Sequence, residues 1–309
     1  MTNLILLVAC FGLGALARRL AARASGPLAG LPPDAHRIVN AWIMNVSLPA
    51  LVLRAVRGVL LEPALFIGAA MLWLELALAI GLALLAIRTK RVSVGVGGAL
   101  ALTAGLGNTA FVGLPLIEAL GGQDAMAKAS VIDQLGSFAA LAILAVPFAV
   151  LLSGKAIRPS ALVLRLVTFP PFIALFAALV LRRVALPGSV EQVISRLADM
   201  LSPLALASMG WQTRLSSLRT HRRYLAVGIA YRLVIAPALV FAILRSLGPI
   251  GLAERVTIAE AAMAPMVTAG ILAAEHRFEP DLAASLVAVG AVLSLVTVPA
   301  WWALAGLGG

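Results

Sequence analysis

The stretch Gly105-Leu106-Gly107-Asn108-Thr109-Ala110-Phe111-Val112-Gly113-Leu114-Pro115 decides how the rest of the chain is read. Three glycines and a proline interrupt an otherwise apolar run. Pro115 removes a backbone donor and clashes with the preceding turn, while the glycines permit an unwound path. The surroundings give the break its meaning. Of the 309 residues, 62% are hydrophobic and 12% are charged, against about 45–50% and about 25% in an ordinary soluble domain. Too little polar surface remains to cover soluble cores, so a soluble enzyme is not expected. In a membrane, freed backbone groups are tolerated only inside protein or beside a water-filled cavity. The break therefore marks a candidate site, where Asn108 and Thr109 add side-chain donors and acceptors.

Outward from this segment, ten runs are long and apolar enough to cross a hydrocarbon core, which takes about 20 residues. They cover roughly 2–20, 36–57, 62–87, 94–121, 124–153, 160–183, 189–213, 222–247, 253–277 and 280–307. Ala22-Arg23-Ala24 resembles a signal-peptide cleavage site, but Arg18, Arg19 and Arg23 follow the apolar stretch and no positive charge precedes it. The first run is therefore expected to be a retained span. The single cysteine, Cys10, cannot form an intramolecular disulfide.

A net charge of +11 would suggest nucleic acid in a polar chain. Here it reads as topology. The odd-numbered connections hold fifteen basic residues: Arg18, Arg19, Arg23, Arg37, Arg88, Lys90, Arg91, Lys155, Arg158, Arg165, Arg214, Arg219, Arg222, Arg223 and Arg277. The even-numbered connections hold eight: Arg54, Arg57, Lys128, Arg182, Arg183, Arg196, Arg245 and Arg255. By the positive-inside rule both termini lie on the outer side, and no nucleic-acid partner is expected.

Proline positions suggest an internal repeat. Pro49 and Pro203 are 154 residues apart, Pro115 and Pro265 are 150 apart, and Pro147 and Pro299 are 152 apart. Two five-helix halves follow, 1–153 and 154–309. Five is odd, so the second half enters from the opposite side, the inverted-repeat plan of many secondary transporters. The expected fold is an all-α polytopic membrane protein of ten transmembrane helices. The partner of the first break is Glu260-Ala261-Ala262-Met263-Ala264-Pro265-Met266-Val267-Thr268-Ala269-Gly270. If spans 4 and 9 cross near the midplane, Asn108, Thr109 and Thr268 converge.

Ionisable groups inside a span are costly, about 2.5–3.5 kcal/mol on insertion scales, and are functional candidates by default. Glu75, beside Trp73 in span 3, reads either as a proton carrier or as a hydrogen-bonded acid that fixes packing. Arg232, deep in span 8, reads either as a carboxylate clamp, as a structural partner of Glu75, Asp133 or Asp199, or as a side chain reaching the interface. Asp133 and Gln134 in span 5 read as an ion or proton site, or as a local network. Asn45 and Ser47 precede Pro49 and can line a cavity, with Ser202, Ser208 and Gln212 as the matching set around Pro203. Buried hydroxyls in membrane helices, however, usually bond their own backbone. Glu260 reads as an interfacial acid opening span 9, Trp301 and Trp302 as interface anchors. His36, His221 and His276 read as solvated, without metal-ligand spacing.

Two G-x-G-x-x-A matches, at Gly12 and Gly105, lack a strand-to-helix context. H-E-x-x-H and G-x-x-x-x-G-K-[ST] do not occur. No enzymatic activity, metal or cofactor is expected.

The run Gly107-Asn108-Thr109-Ala110-Phe111-Val112-Gly113-Leu114-Pro115 resembles the G-N-T-G-F-L-G-x-P signature of the auxin efflux carrier family, which includes plant PIN auxin exporters and bacterial permeases of malonate or malate. Asn45-Val46-Ser47-Leu48-Pro49-Ala50-Leu51 is similar to that family's second span, and Ala261 through Ala284 to its ninth span and following turn. The resemblance implies a ten-helix fold with broken helices 4 and 9 crossing, and substrate at the crossing. It implies a scaffold of helices 1, 2, 6 and 7 that dimerises, and a moving remainder. The short connection near Lys155 looks bacterial, which implies the inner membrane. Where the family commonly has an Asn after the ninth-span proline, this chain has Thr268.

The expected function is a secondary transporter of a small organic anion working by alternating access, with H⁺, Na⁺ or no coupling ion. Substrate contacts are expected from Asn108, Thr109, Pro115, Pro265, Thr268 and Asn45. Coupling is expected from Glu75, Asp133, Gln134 and Arg232. A sodium-coupled bile-acid-type symporter and an intramembrane enzyme are the alternatives.

Overall fold

A computed structural model describes residues 2–21, 32, 35–154, 164, 167–212 and 221–307. The Ala22-Arg23-Ala24 site and the basic residues Lys155, Arg158, Arg165, Arg214 and Arg219 lie outside the described residues, as does the Gln212 side chain. The described residues form helices and no strand. In chain order these are α1 (Thr2–Ala21), α2 (His36–Trp42), α3 (Leu48–Gly58), α4 (Pro63–Arg88), α5 (Val94–Gly105), α6 (Leu114–Asp133), α7 (Val146–Leu152), α8 (Pro170–Val180), α9 (Gly188–Asp199), α10 (Leu201–Gln212), α11 (Arg222–Ala230), α12 (Ala236–Leu247), α13 (Leu252–Ala261), α14 (Val267–Glu275) and α15 (Pro280–Gly306).

Five helical stretches among the described residues are long and apolar enough to cross a membrane: His36–Gly58, Pro63–Arg88, Thr109–Leu152, Arg222–Leu247 and Pro280–Gly306. The third divides at Gly122, whose φ of 75° is one a side chain rarely adopts. That position falls between the expected fourth and fifth spans.

Prolines shape the helices through their missing N–H. Ahead of Pro49, Pro147 and Pro237 the helix widens into a π turn, at Ile43–Ser47, Leu141–Ala145 and Tyr231–Ile235. In each, the residue before the proline donates to the carbonyl five residues back: Leu48 to Ile43, Val146 to Leu141, Ala236 to Tyr231. A wider turn absorbs the clash of the proline ring with the preceding carbonyl.

The chain forms two compact units, each assembled from both halves of the sequence. Unit 1 comprises Met1–Leu60, Ala110–Ser130 and Thr168–Thr213. Within it α1 runs along α10, and α3 packs on α8 and α9. The α1–α10 contact is backbone against backbone. A Cβ at Gly14 would lie 1.9 Å from the Ala207 carbonyl oxygen, and one at Gly210 would lie 2.0 Å from that of Phe11. Small residues substitute here for the hydrophobic drive that lipid does not supply between helices. The first G-x-G-x-x-A match, around Gly14, is thus a packing face.

Unit 2 comprises Leu61–Thr109, Val131–Val167 and Arg214–Gly309. Its apolar core includes Leu76, Leu102, Leu141, Phe148, Leu282 and Leu286, from α4, α5, the turn before α7, α7 itself and α15. Trp302 belongs to this unit's interior, 7% exposed with the Arg255 guanidinium 4.5 Å from its ring centre. The expected interface anchor is a packed side chain, because a cation on the same unit covers its face.

Candidate functional site

The centre of unit 2 is where two helices stop short. α5 ends at Gly105 and α13 at Ala261, and the segments that follow run extended against each other. The Asn108 N–H donates to the Ala264 carbonyl at 2.7 Å, and the Met266 N–H donates to the Leu106 carbonyl at 2.9 Å. Gly107 and Pro265 face each other between these bonds as an isolated antiparallel bridge. In such a pair the flanking residues make the hydrogen bonds, so a proline sits there without wasting a donor. The two breaks found in the sequence are thus each other's backbone partners.

Gly107 has a second role. A Cβ there would lie 2.4 Å from Arg232 Nη2 and 3.2 Å from the Glu260 carbonyl oxygen. The empty space admits the guanidinium. Arg232, on the wide turn ahead of Pro237, is fully buried and engages in three directions. Its Nη1 pairs with Glu75 Oε2 at 2.8 Å, its Nε donates to the Met263 carbonyl at 2.9 Å, and its Nη2 donates to the Glu260 carbonyl at 3.0 Å. Two of these acceptors belong to the second break. Among the partners expected for Arg232, Glu75 is the one it pairs with in the structure. Glu75 is held from a second side by the neighbouring turn, where the Tyr231 hydroxyl donates to its backbone carbonyl at 2.6 Å.

A second buried network starts one residue after the first break. The Thr109 hydroxyl donates to Asp133 Oδ1, and Gln134 Nε2 donates to Asp133 Oδ2 at 2.7 Å. Gln134 continues the chain as a π turn, Gln134–Phe138, and the neighbouring Leu135 carbonyl accepts from Trp73 Nε1 at 2.9 Å. Asn108, Thr109, Asp133 and Gln134 are all buried.

The remaining expected residues are placed differently. Pro265 is buried at the bridge, and Thr268 is half-buried in the first turn of α14, whose N-terminus has no side-chain cap. Pro115 belongs to unit 1, where it lines a cavity of about 230 Å³ with Arg54, Glu118, Ser202 and Pro203. There Arg54 pairs with Asp199 at 2.7 Å, and the Ser202 hydroxyl donates to Glu118 at 3.2 Å. Asn45, also in unit 1, is exposed and its amide donates to the Ala41 carbonyl at 2.8 Å. Ser208 donates to the Asn40 side chain. Own-backbone bonding of a buried hydroxyl is found at Thr103, Ser130 and Thr257.

Two sequence readings need correction. Glu260 is not an interfacial acid at a helix start. It lies in the last turn of α13 with no exposed surface, and the N-terminal acid is Glu254, whose carboxylate accepts from the Gly251 N–H at 3.0 Å. The histidines are not simply solvated. His276 is half-buried and shares a 3.0 Å hydrogen bond with Ser153, and His221 lies 3.5 Å from Glu279. Among the described residues, no group of three His, Cys, Asp or Glu side chains is arranged to hold a metal ion.

Comparison with known proteins bears on this geometry. The sequence pattern of a family described as membrane transport protein matches residues 20–302. The chain belongs to that family. The resemblance to auxin efflux carriers carried by residues 107–115 stands. The transporter is 27% identical over 203 residues to an uncharacterized transporter of Methanothermobacter thermautotrophicus, covering 65% of this chain and 66% of that one. It is 24% identical over 213 residues to an uncharacterized transporter of Methanocaldococcus jannaschii, covering 67% and 68%. The matched region thus spans about two thirds of the length of these relatives.

Proposed function

We propose that this transporter is a secondary carrier that moves a small organic anion across the inner membrane by alternating access. The observation that carries the reading is the pairing of the two breaks through Asn108 and Ala264, Leu106 and Met266. Unwound backbone inside a membrane protein is kept where it serves a polar ligand. The anion preference follows from the start of α14, where first-turn amides and the Thr268 hydroxyl face no capping side chain and the positive end of the helix dipole attracts negative charge. Asn108 supplies a further amide. Arg232 is not the clamp in this reading, because each of its three nitrogens already has an acceptor, in Glu75 and two carbonyls. Thr109, Asp133 and Gln134 form the wall beside the site in this reading, and Pro265 keeps the second break open opposite Gly107.

The reading includes ten spans in two inverted halves, 1–153 and 154–309, with both termini outside. The first, second, sixth and seventh spans fall in unit 1, together with Ala110–Ser130; in this reading those four spans are the scaffold through which the protein dimerises. Purified protein is screened by thermal shift against dicarboxylates, amino acids, indole acids and bile acids. An anion is expected to raise Tm in the wild type and not in Asn108→Ala. Stabilisation only by neutral or cationic solutes refutes the anion assignment, and chemical turnover in detergent refutes the carrier.

A further inference from the structure

Glu260 is the buried charge that the network leaves alone. Glu75 has the Arg232 guanidinium, and Asp133 has a hydroxyl and an amide. Neither carboxyl oxygen of Glu260 has a hydrogen-bond partner, although the residue is 0% exposed. Glu75 Oε1 is likewise buried without a donor, and the charge of Glu75 acts on Glu260. Glu260 further occupies the last turn of α13, the negative end of the helix dipole. An isolated carboxylate in such surroundings is prohibitively expensive unless positive charge reaches it. Arg232 makes no bond to this carboxyl: its Nη2 is turned to the Glu260 backbone carbonyl and its Nη1 to Glu75, so its charge acts on Glu260 only at a distance and is shared with Glu75.

We propose that Glu260 is the coupling-cation site of the transporter, where a single positive charge, a proton or a sodium ion, docks on the otherwise unpartnered carboxyl at the end of α13. Half-helix C-termini beside a break are suited to this role. The surrounding charges are Glu75 from α4, Arg232 and Tyr231 from the turn before α12, and Asp133 at the end of α6; those of Asp133, Glu75 and Arg232 are close enough to act on Glu260. On α13 itself Glu254 and Arg255 sit toward the other end, and Arg245 of α12 and Asp281 of α15 are exposed. Three buried carboxyls, Glu75, Asp133 and Glu260, share the single guanidinium of Arg232 among the charges acting on Glu260, and a cation at Glu260 offsets that imbalance. Because the Glu260 carbonyl binds Arg232 and the same segment binds Leu106 and Asn108, its charge state bears directly on the paired breaks.

The site rests on the transport reading for its purpose, but its test does not need the organic substrate. Wild type and Glu260→Gln are compared in detergent in two arms. In the first, NaCl replaces choline chloride at constant ionic strength and pH, and Tm and heat of binding are read. In the second, sodium is absent and proton uptake between pH 9 and pH 5 is measured in weakly buffered solution. The expected result is either a saturable sodium-dependent rise in Tm or uptake of about one additional proton per chain, lost in Glu260→Gln. The substitution breaks no hydrogen bond, so the variant is expected to fold; its circular dichroism and elution volume check this. The proposal is overturned if the wild type responds in neither arm or if Glu260→Gln keeps the full response. Intact cation binding without anion uptake in liposomes would refute the anion reading alone.

Discussion

Replacing Arg232 by methionine removes the one cation that holds Glu75 and the second break together. The side chain is fully buried and Glu75 is 1% exposed, so solvent cannot take over its three bonds. Breaking a buried pair by deleting one partner costs about 3–5 kcal/mol, because the other charge is left uncompensated. The Glu260 carbonyl keeps a second donor, the Met263 N–H at 3.1 Å, and adds little. The Met263 carbonyl loses its Arg232 donor, which adds about 1 kcal/mol for an unsatisfied buried acceptor. The expected loss is therefore about 4–6 kcal/mol in equilibrium unfolding in mixed micelles. The double variant Glu75→Met/Arg232→Met is expected to recover most of it, since apolar replacements of a whole buried pair are often neutral. Arg232→Lys is expected to fall between, because an ammonium cannot serve a carboxylate and two carbonyls from one planar fork. A loss below about 1 kcal/mol for Arg232→Met, the ceiling for an exposed pair, would refute the reasoning. So would a double variant as unstable as the single one.

Two further predictions concern close approaches. Gly107→Ala puts a methyl 2.4 Å from Arg232 Nη2 and is expected to cost about 1–3 kcal/mol by overpacking, whereas Gly81→Ala, with nothing within 4 Å, is expected to stay within about 0.5 kcal/mol or to stabilise; paired thermal melts read both, and equal effects would exclude the guanidinium contact. Gly14→Ala meets the Ala207 backbone at 1.9 Å and is expected to lower Tm well beyond Gly12→Ala, which meets nothing within 4 Å; the same melts check it, and indistinguishable variants would disprove the close α1–α10 approach.

The breaks were legible because proline and glycine act locally: a missing donor or Cβ interrupts a helix wherever it falls. Glu75, Asp133 and Arg232 were legible as burdens, since charge inside an apolar run demands explanation. Which of them would meet was not, because Arg232 and Glu75 are 157 residues apart and spacing along the chain says nothing of such contacts. Glu260 was misplaced for a narrower reason. A span's boundaries are read from sequence only to within about 2–4 residues, and in a helix as short as Leu252–Ala261, of 10 residues, that covers much of the distance from its start to its end. Glu254 supplies the helix-start chemistry expected of Glu260. Position near a span end makes Trp302 look like an anchor, a rule blind to Arg255 covering the ring.

The two bonds between the breaks have a mechanical meaning. A single bond between Asn108 and Ala264 would let one segment pivot on the other. The second, between Met266 and Leu106, fixes both slide and swivel, so the segments behave as one riveted piece. Adding or removing one residue in either break would put both rivets out of register together. The lengths of 106–108 and 264–266 are thus bound to each other, and an insertion in one is tolerable only with a matching change in the other.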